Sequence, residues 1–269
     1  MPVINTNTSS QYAQDALKVN AKAMSTAMQQ LATGNRINQA RDDAAGLSIG
    51  QNMTSQVRGL NQAVRNVNDG INQLQTADGA LVETSNMLQR MRELAVQSSN
   101  ATNSDKQREY LQSEYSSLQV EITRIASNTT WNQAGLFGVS LVYRAGMSSG
   151  QTISVQIASM DSTSLGLVAA NTVSTFAKSQ AAIGLVDSAI DIVNAARSTM
   201  GGIMNQMSYS ADNMVNISTN IAASRSTVMD TDYATASSQL SRTQIIQQAA
   251  TAMLAQANQQ PQSVLALIK

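Results

Sequence analysis

The sequence predicts a mainly α-helical fold, in which long antiparallel helices form a hairpin or coiled-coil bundle with a small β-hairpin region. Aromatic residues make up only 3 % of the 269 residues, so the core must consist of aliphatic side chains and the 14 methionines. This composition favours helices over sheets. Apolar residues recur every three or four positions in two long stretches, and a period of two appears only between them.

The first long stretch predicts a helix over 57–99. Its apolar positions are Val57, Leu60, Val64, Val67, Ile71, Leu74, Leu81, Leu88 and Met91. Serines and asparagines interrupt the pattern at 98–103. Ser104 and Gln107 then form a capping-box pattern, which predicts a second helix over 104–128.

A β-hairpin region is predicted over 138–160. Residues 140–144 and 152–157 alternate between apolar and polar, and Gly146 and Gly150 lie in the turn between them. Two strands alone are marginally stable in water, so we expect the hairpin to pack on the helices. Helical spacing resumes after it and predicts a long helix over 179–229.

Both ends of the chain carry a helical seam, and we expect the two seams to pair as an antiparallel coiled coil that also mediates polymerisation. The seam residues are Leu17, Met24, Met28, Leu31, Ile245, Ile246, Met253, Leu254, Val264, Leu265 and Ile268. These are too few apolar side chains to offset the conformational entropy of ordering both ends. We therefore expect both ends to be disordered in the free monomer and to fold against neighbouring copies.

The composition also excludes several functions. Seventeen basic residues balance seventeen acidic ones, so we expect neither nucleic acid nor a membrane as a partner. Without cysteine or histidine, there are no thiol nucleophiles, imidazole bases or Cys/His zinc sites. We expect no enzymatic activity, no cofactor and no metal. The first residues lack the pattern of a secretory signal, which fits a cytosolic protein or export without a cleaved signal.

Four aspartates admit two interpretations. Asp42, Asp43, Asp230 and Asp232 could form a carboxylate cluster that binds a cation. We expect instead that Asp230 and Asp232 cap the last helix, and that Asp42 and Asp43 pair with basic residues such as Arg41.

Six segments resemble bacterial flagellins and occur in the usual order of that family. They are MPVINTN from Met1, LATGNRINQARDDAAGLSI from Leu31, LQRMRELAVQ from Leu88, GQTISVQIASMDSTSLGL from Gly150, MDTDYA from Met229 and LAQANQQPQSVLALIK from Leu254. The resemblance covers nearly the whole chain. It implies a secreted structural subunit that polymerises into the extracellular flagellar filament and serves motility.

The resemblance also implies a domain organisation. Residues 1–45 and 230–269 would form the two halves of an axial coiled-coil domain, and 46–178 with 179–229 would form a rod domain. Most flagellins carry a hypervariable outer region where this chain has only VAANTVSTFAKSQAAIG from Val168, so it resembles a minimal flagellin. Three positions depart from the usual family pattern. Trp131 stands where the family usually has Phe, Gln133 where it usually has Gly, and Met229 where it usually has a polar residue.

The implied partners are other copies of the chain, the filament cap, hook–filament junction proteins, an export chaperone and the export apparatus. A host innate receptor of the Toll-like type is a further implied partner. The positions that match its recognition patch are Arg90, Leu94, Glu114, Val186 and Ile190. An ordinary interhelical ion pair is the alternative explanation for Arg90 and Glu114.

Two other functions remain as alternatives. A hook–filament junction protein would share the terminal seams, and the LQRMRELAVQ segment argues against it. The signalling hairpin of a chemoreceptor would share the helical pattern, but it would need a membrane segment or a separate sensor and would not contain a β-hairpin.

Overall fold

The computed structural model describes residues 6–168 and 172–266, with side chains as far as residue 259. The elements are α1 (Thr8–Thr33), α2 (Ala44–Ser98), α3 (Asp105–Asn128), β1 (Thr130–Trp131), β2 (Ala134–Gly135), β3 (Val139–Arg144), β4 (Thr152–Ile157), α4 (Phe176–Met229) and α5 (Tyr233–Ala266). β1 pairs with β2 and β3 with β4, both antiparallel. The predicted class, mainly helical with a small β-hairpin, is confirmed.

The helix predicted over 57–99 begins earlier than expected. α2 starts at Ala44 because the Asp43 carboxylate accepts a hydrogen bond from the Gly46 amide at 2.8 Å, which satisfies one of the free amides of the first turn. The apolar spacing before Val57 is too sparse to reveal this start. The capping box before α3 is confirmed, since the Ser104 and Gln107 side chains each accept a hydrogen bond from the other residue's backbone amide.

A tight turn between β1 and β2 was not predicted. Asn132 and Gln133 both have positive φ angles, 48° and 69°, and connect strands of only two residues each. Strands this short leave no alternation in the sequence to detect.

The chain forms two compact units. The terminal unit comprises residues 1–57 and 219–269, and the central unit comprises residues 58–218. The predicted domain boundaries at 45/46 and 229/230 lie 11 to 12 residues closer to the chain ends than the boundaries of these units.

The core of the central unit lies between α2, α3 and α4. Its fully buried side chains include Leu74, Leu81, Leu88, Met91, Tyr115, Ile122 and Met207. The β3–β4 hairpin packs on α2, where a Cβ atom at Gly70 would lie 2.7 Å from the Tyr143 ring. The Tyr143 hydroxyl donates a hydrogen bond to Gln73 at 2.8 Å. In the described parts of the chain, no helix has the length and apolar character that a membrane crossing requires.

Candidate assembly and recognition surfaces

In the terminal unit, α1 and α5 pair as an antiparallel coiled coil. The residues turned towards the partner helix are buried or half-buried and are spaced alternately by three and four positions, as heptad packing requires. They are Ser10, Ala13, Leu17, Asn20, Met24, Ala27 and Leu31 on α1, and Ala236, Leu240, Thr243, Gln247, Ala250, Leu254 and Ala257 on α5. The predicted pairing of the two ends is therefore confirmed.

Polar side chains set the register of this pair. The buried Asn20 side chain donates a hydrogen bond to the Thr243 carbonyl at 2.7 Å. Nearer the chain ends, Asn7 donates to the Ala257 carbonyl at 2.8 Å. A slip of one turn would leave the Asn20 amide buried without its acceptor, so this contact favours a single alignment.

Part of the predicted seam lies outside the paired face. Met28, Ile245, Ile246 and Met253 are 46, 67, 40 and 66 % exposed, respectively. The helices come together through small and polar residues such as Ala27 and Thr243, and this register turns the bulkier side chains outwards. Leu17, Met24, Leu31 and Leu254 belong to the paired face as predicted.

The remaining predicted seam residues are Val264, Leu265 and Ile268. The backbone at Val264 and Leu265 continues α5, but their side chains and all of Ile268 lie outside the described residues.

The outward face of α1 also carries exposed apolar side chains. Val19 is 71 % exposed, and it lies at the edge of a groove of about 370 Å³. Residues of α1 and one residue of α5 line this groove: Val19, Lys22, Ala23, Thr26, Gln30 and Gln239. A monomeric coiled coil has no need of such a surface, because its own seam is already closed.

The aspartate predictions are partly confirmed. Asp232 caps α5, accepting hydrogen bonds from the Ala234 amide at 2.9 Å and the Thr235 hydroxyl at 2.7 Å. The hydrogen bond from Thr235 is the largest cause that lowers the pKa of Asp232. Asp230 was wrongly predicted as a cap, because it follows α4 and accepts a hydrogen bond from the Ser226 hydroxyl at 2.6 Å.

The first aspartate pair differs from the prediction in part, since only Asp42 has an ion-pair contact with Arg41. Asp43 caps α2 and has no basic partner within ion-pair distance among the described residues. Asp42 mainly accepts hydrogen bonds from the Asn38 and Gln39 amides, and its contact with Arg41 is a distant 4.0 Å. No group of three or more acidic residues that could hold a metal ion occurs in the described part of the chain.

In the central unit, Arg90 links α2 to α3. Its Nε donates to Glu114 and its Nη1 to Glu93, each at 2.9 Å. These hydrogen bonds, Glu114 first, raise the pKa of Arg90 above its ordinary value. The expected interhelical ion pair is thus present. Glu93 was not predicted, although its position three residues after Arg90 on the same helix could have revealed it.

The other predicted receptor-patch residues do not all lie on the surface. Leu94 and Val186 are fully buried, and Ile190 is half-buried. Leu94 and Val186 pack in the core between the helices, and their side chains are not exposed in the free chain.

Comparison with known proteins gives the family. Residues 4–140 match the model of the bacterial flagellin N-terminal helical region, and residues 183–268 match that of the C-terminal helical region. This chain belongs to the bacterial flagellin family. It is 40 % identical to a flagellin of Halalkalibacterium halodurans over 99 % of this chain and 100 % of that protein. It is 38 % identical to a flagellar filament core protein of Brachyspira hyodysenteriae, over 99 % of this chain and 100 % of that protein.

Comparison with a longer relative supports the prediction that this chain is a minimal flagellin. Flagellin B of Vibrio cholerae is 32 % identical, and the alignment extends over 372 positions against the 269 residues of this flagellin. Among solved structures, a putative flagellar hook-associated protein of Vibrio parahaemolyticus matches with a TM-score of 0.59 over 70 % of this chain and 99 % of that one. At 15 % identity, this match concerns the fold alone.

Proposed function

We propose that this flagellin polymerises into the flagellar filament through the outward faces of α1 and α5. The observation that carries the proposal is the exposure of Val19, Ile245 and Met253 on a coiled coil whose own seam is closed. Burying these side chains against neighbouring copies would remove apolar surface from water. It would also couple the folding of the α1–α5 pair to assembly.

The terminal unit then corresponds to the axial domain and the central unit to the rod domain. We place the filament outside the cell, and we assign export of the chain to the flagellar export apparatus with an export chaperone. The filament cap and the hook–filament junction proteins are the proposed partners at the two ends of the filament. The proposed role is structural, without catalysis or a cofactor. The flagellin family match and near full-length relatives favour this role over a junction protein or a chemoreceptor hairpin.

Assembly from purified protein tests the proposal. Heat-dissociated protein is seeded with sulfate, which strengthens apolar burial, and filaments are counted by negative-stain electron microscopy. The wild-type chain should form long filaments and Ile245→Glu should remain monomeric, whereas the exposed polar control Gln248→Glu should assemble normally. Persistent wild-type monomers, or normal filaments from Ile245→Glu, would contradict the proposal.

We also propose that an innate receptor of animal hosts recognises the monomer through Arg90, Glu114 and Ile190. Arg90 and Glu114 are exposed and hold each other in a fixed geometry, so a partner would meet a planar guanidinium that is already oriented. Arg90→Asp should reduce the response in a receptor reporter assay, and Arg65→Asp, a change at another exposed arginine of α2, should leave it unchanged. An undiminished response to Arg90→Asp would remove the proposal.

A further inference from the structure

The outward side of α3 carries apolar side chains that its own unit leaves uncovered. The inner face of α3 is occupied by buried residues, among them Arg108, Tyr115 and Ile122. On the opposite side, Tyr110 and Val120 are 67 and 69 % exposed. The α3 stripe consists of Tyr110, Ser113, Ser117 and Val120, which follow one another at helical spacing. The two serines between the larger side chains would let a second backbone approach closely.

A groove between β4 and α4 provides a surface of complementary form. The α4 groove has a volume of about 250 Å³ and an apolar lining. The lining includes Val155, Ile157, Met160, Ile192, Ala196 and Thr199. Ile192 is 42 % exposed at its rim. About eight residues before Ile192, Gly184 has no atom within 4 Å of the position that a Cβ would take, so α4 also leaves room there for a large ring.

The α3 stripe and the α4 groove lie at the same height along the central unit. Glu114 of α3 contacts Arg90, and Asp187 of α4 contacts Arg92, which lies two residues further along the same helix. α3 and α4 both run antiparallel to α2 and therefore parallel to each other. Val120 lies six residues after Glu114, and Ile192 lies five residues after Asp187, so their heights agree to within about one helical turn.

The same relation holds at the other end of the stripe. Tyr110 lies four residues before Glu114, and Gly184 lies three residues before Asp187. The largest side chain of the stripe is therefore level with the open position on α4, and Val120 is level with the groove.

We infer that the α3 stripe of one copy packs into the α4 groove of a second copy beside it. The inference rests on the proposed filament function and names a lateral contact of the central unit. Because the two surfaces differ, the contact is heterologous and leaves a free stripe and a free groove after each addition. It therefore propagates from copy to copy, as a helical polymer requires, whereas a self-complementary patch would stop at a dimer.

The absence of cysteine from the chain makes a crosslinking test specific. The variant with both Val120→Cys and Ile192→Cys is assembled with sulfate, oxidised, and separated on a non-reducing gel. We expect a ladder of dimers, trimers and larger species that dithiothreitol collapses to monomer. The control keeps Val120→Cys and places the second cysteine at Gln75, an exposed position of α2, and it should give no ladder.

The outcomes separate the inference from the function on which it rests. Wild-type filaments without a ladder from the Val120/Ile192 pair would overturn the lateral contact and leave the filament function intact. Failure of the wild-type chain to form filaments would instead count against the proposed function. If the double variant does not assemble, a mixture of the two single-cysteine variants serves in its place, and it should give crosslinked dimers only.

A second measurement does not depend on cysteine geometry. Val120→Asp should raise the critical concentration for assembly at least tenfold and leave the melting temperature of the monomer unchanged, because Val120 is exposed there. Tyr209→Asp is the matched control, since Tyr209 is 76 % exposed on α4 and does not line the groove. An equal effect of both substitutions, or no effect of Val120→Asp, would contradict the contact.

Discussion

The Met229 side chain occupies the space that a side chain at position 50 would need. A Cβ atom built on Gly50 would overlap with the Met229 Sδ and lie 2.6 Å from its Cγ. Gly50 belongs to α2 and Met229 is the last residue of α4, so the absence of a side chain allows the two helices to approach within the terminal unit.

We predict that Gly50→Ala destabilises the assembled filament. Displacing Met229 should cost about 1–3 kcal/mol per subunit, more than the helix propensity that alanine gains. The critical concentration should rise by roughly tenfold for each 1.4 kcal/mol. Gly79→Ala is the matched control, because nothing lies within 4 Å of its Cβ position on the same helix. It should leave the critical concentration unchanged or lower it.

The double variant Gly50→Ala with Met229→Ala tests the assigned contact. Removing the methionine side chain should restore much of the loss, so the two substitutions should be strongly non-additive. Strict additivity would show that Gly50→Ala acts through some other contact.

The turn between β1 and β2 provides a second prediction. Gln133 has a φ of 69°, in the left-handed region where a residue with a Cβ is strained by roughly 1–2 kcal/mol. Gln133→Gly should therefore raise the urea midpoint of the monomer. The gain should be about 0.5–1 kcal/mol, because glycine also increases the entropy of the unfolded chain. Gln133→Ala keeps the strain and should give no gain, so equal stabilisation by both would argue against strain as the cause.

The sequence predicted those parts of the fold that depend on local patterns. Apolar spacing revealed the long helices, and Ser104 with Gln107 marked the start of α3 within one residue. The start of α2 was missed because it depends on one hydrogen bond from Gly46 to Asp43, in a segment with little apolar periodicity.

The surfaces were harder to predict than the helices. Among apolar residues at helical spacing, the sequence does not reveal which will face the partner helix. The paired face of α5 contains Thr243 and Gln247, whereas Ile245 and Ile246 face outwards. The resemblance to flagellins likewise assigned Leu94 and Val186 to a recognition patch, although both side chains are fully buried in the free chain. Such assignments require the three-dimensional register of several helices, which local periodicity does not fix.

Arg108 provides a third prediction, because its guanidinium is buried and stabilises the turn between α2 and α3. It donates hydrogen bonds to the carbonyls of Ser98, Asn100 and Asn103 at 2.9–3.0 Å. Its acidic neighbour Asp105 lies 3.9 Å away and has a 95 % exposed side chain, so that ion pair adds little.

Arg108→Met should lower the free energy of unfolding of the monomer by about 3 kcal/mol or more, since three hydrogen bonds from a charged donor are lost and the buried Ser98 carbonyl loses this donor. Urea denaturation followed by circular dichroism measures the change. Arg65→Met removes an exposed arginine that bonds only to Gln62 among the described residues, and it should change the stability by less than about 0.5 kcal/mol. Similar effects of the two substitutions would contradict the assigned role.

Because of Tyr115, the free energy of unfolding of the monomer should depend on pH in the alkaline range. Burial raises the pKa of its hydroxyl to about 12, from about 10 when the chain is unfolded. Below about pH 10 the hydroxyl is protonated in both states, so its contribution to stability is constant there. Between about pH 10 and about pH 12 only the unfolded chain loses this proton, so the contribution declines as the pH rises. The difference in stability between wild type and Tyr115→Phe should therefore change in this interval and remain constant below it.

At neutral pH, Tyr115→Phe should leave stability unchanged or raise it by up to about 1 kcal/mol. The Tyr115 hydroxyl is buried without a hydrogen-bond partner among the described residues, so its removal relieves an unsatisfied polar group. Tyr143→Phe is the comparison, since the Tyr143 hydroxyl bonds to Gln73 and its removal should cost about 0.5–1.5 kcal/mol. Greater destabilisation by Tyr115→Phe than by Tyr143→Phe would indicate that the buried hydroxyl has a partner.

The composition of the α1–α5 seam leads to the last prediction. Ser10, Asn20 and Thr243 are among its buried residues, and alanines fill several other positions, so pairing buries little apolar surface per residue ordered. In the free monomer both ends should therefore be open to proteases, and trypsin should remove them before it cuts the central unit. In assembled filaments the same bonds should resist cleavage, because neighbouring copies cover the outward faces. Mass spectrometry of the fragments over time distinguishes the two states. Ends that survive as long as the central unit in the monomer would mean that the pair folds on its own, and assembly would then join preformed helices.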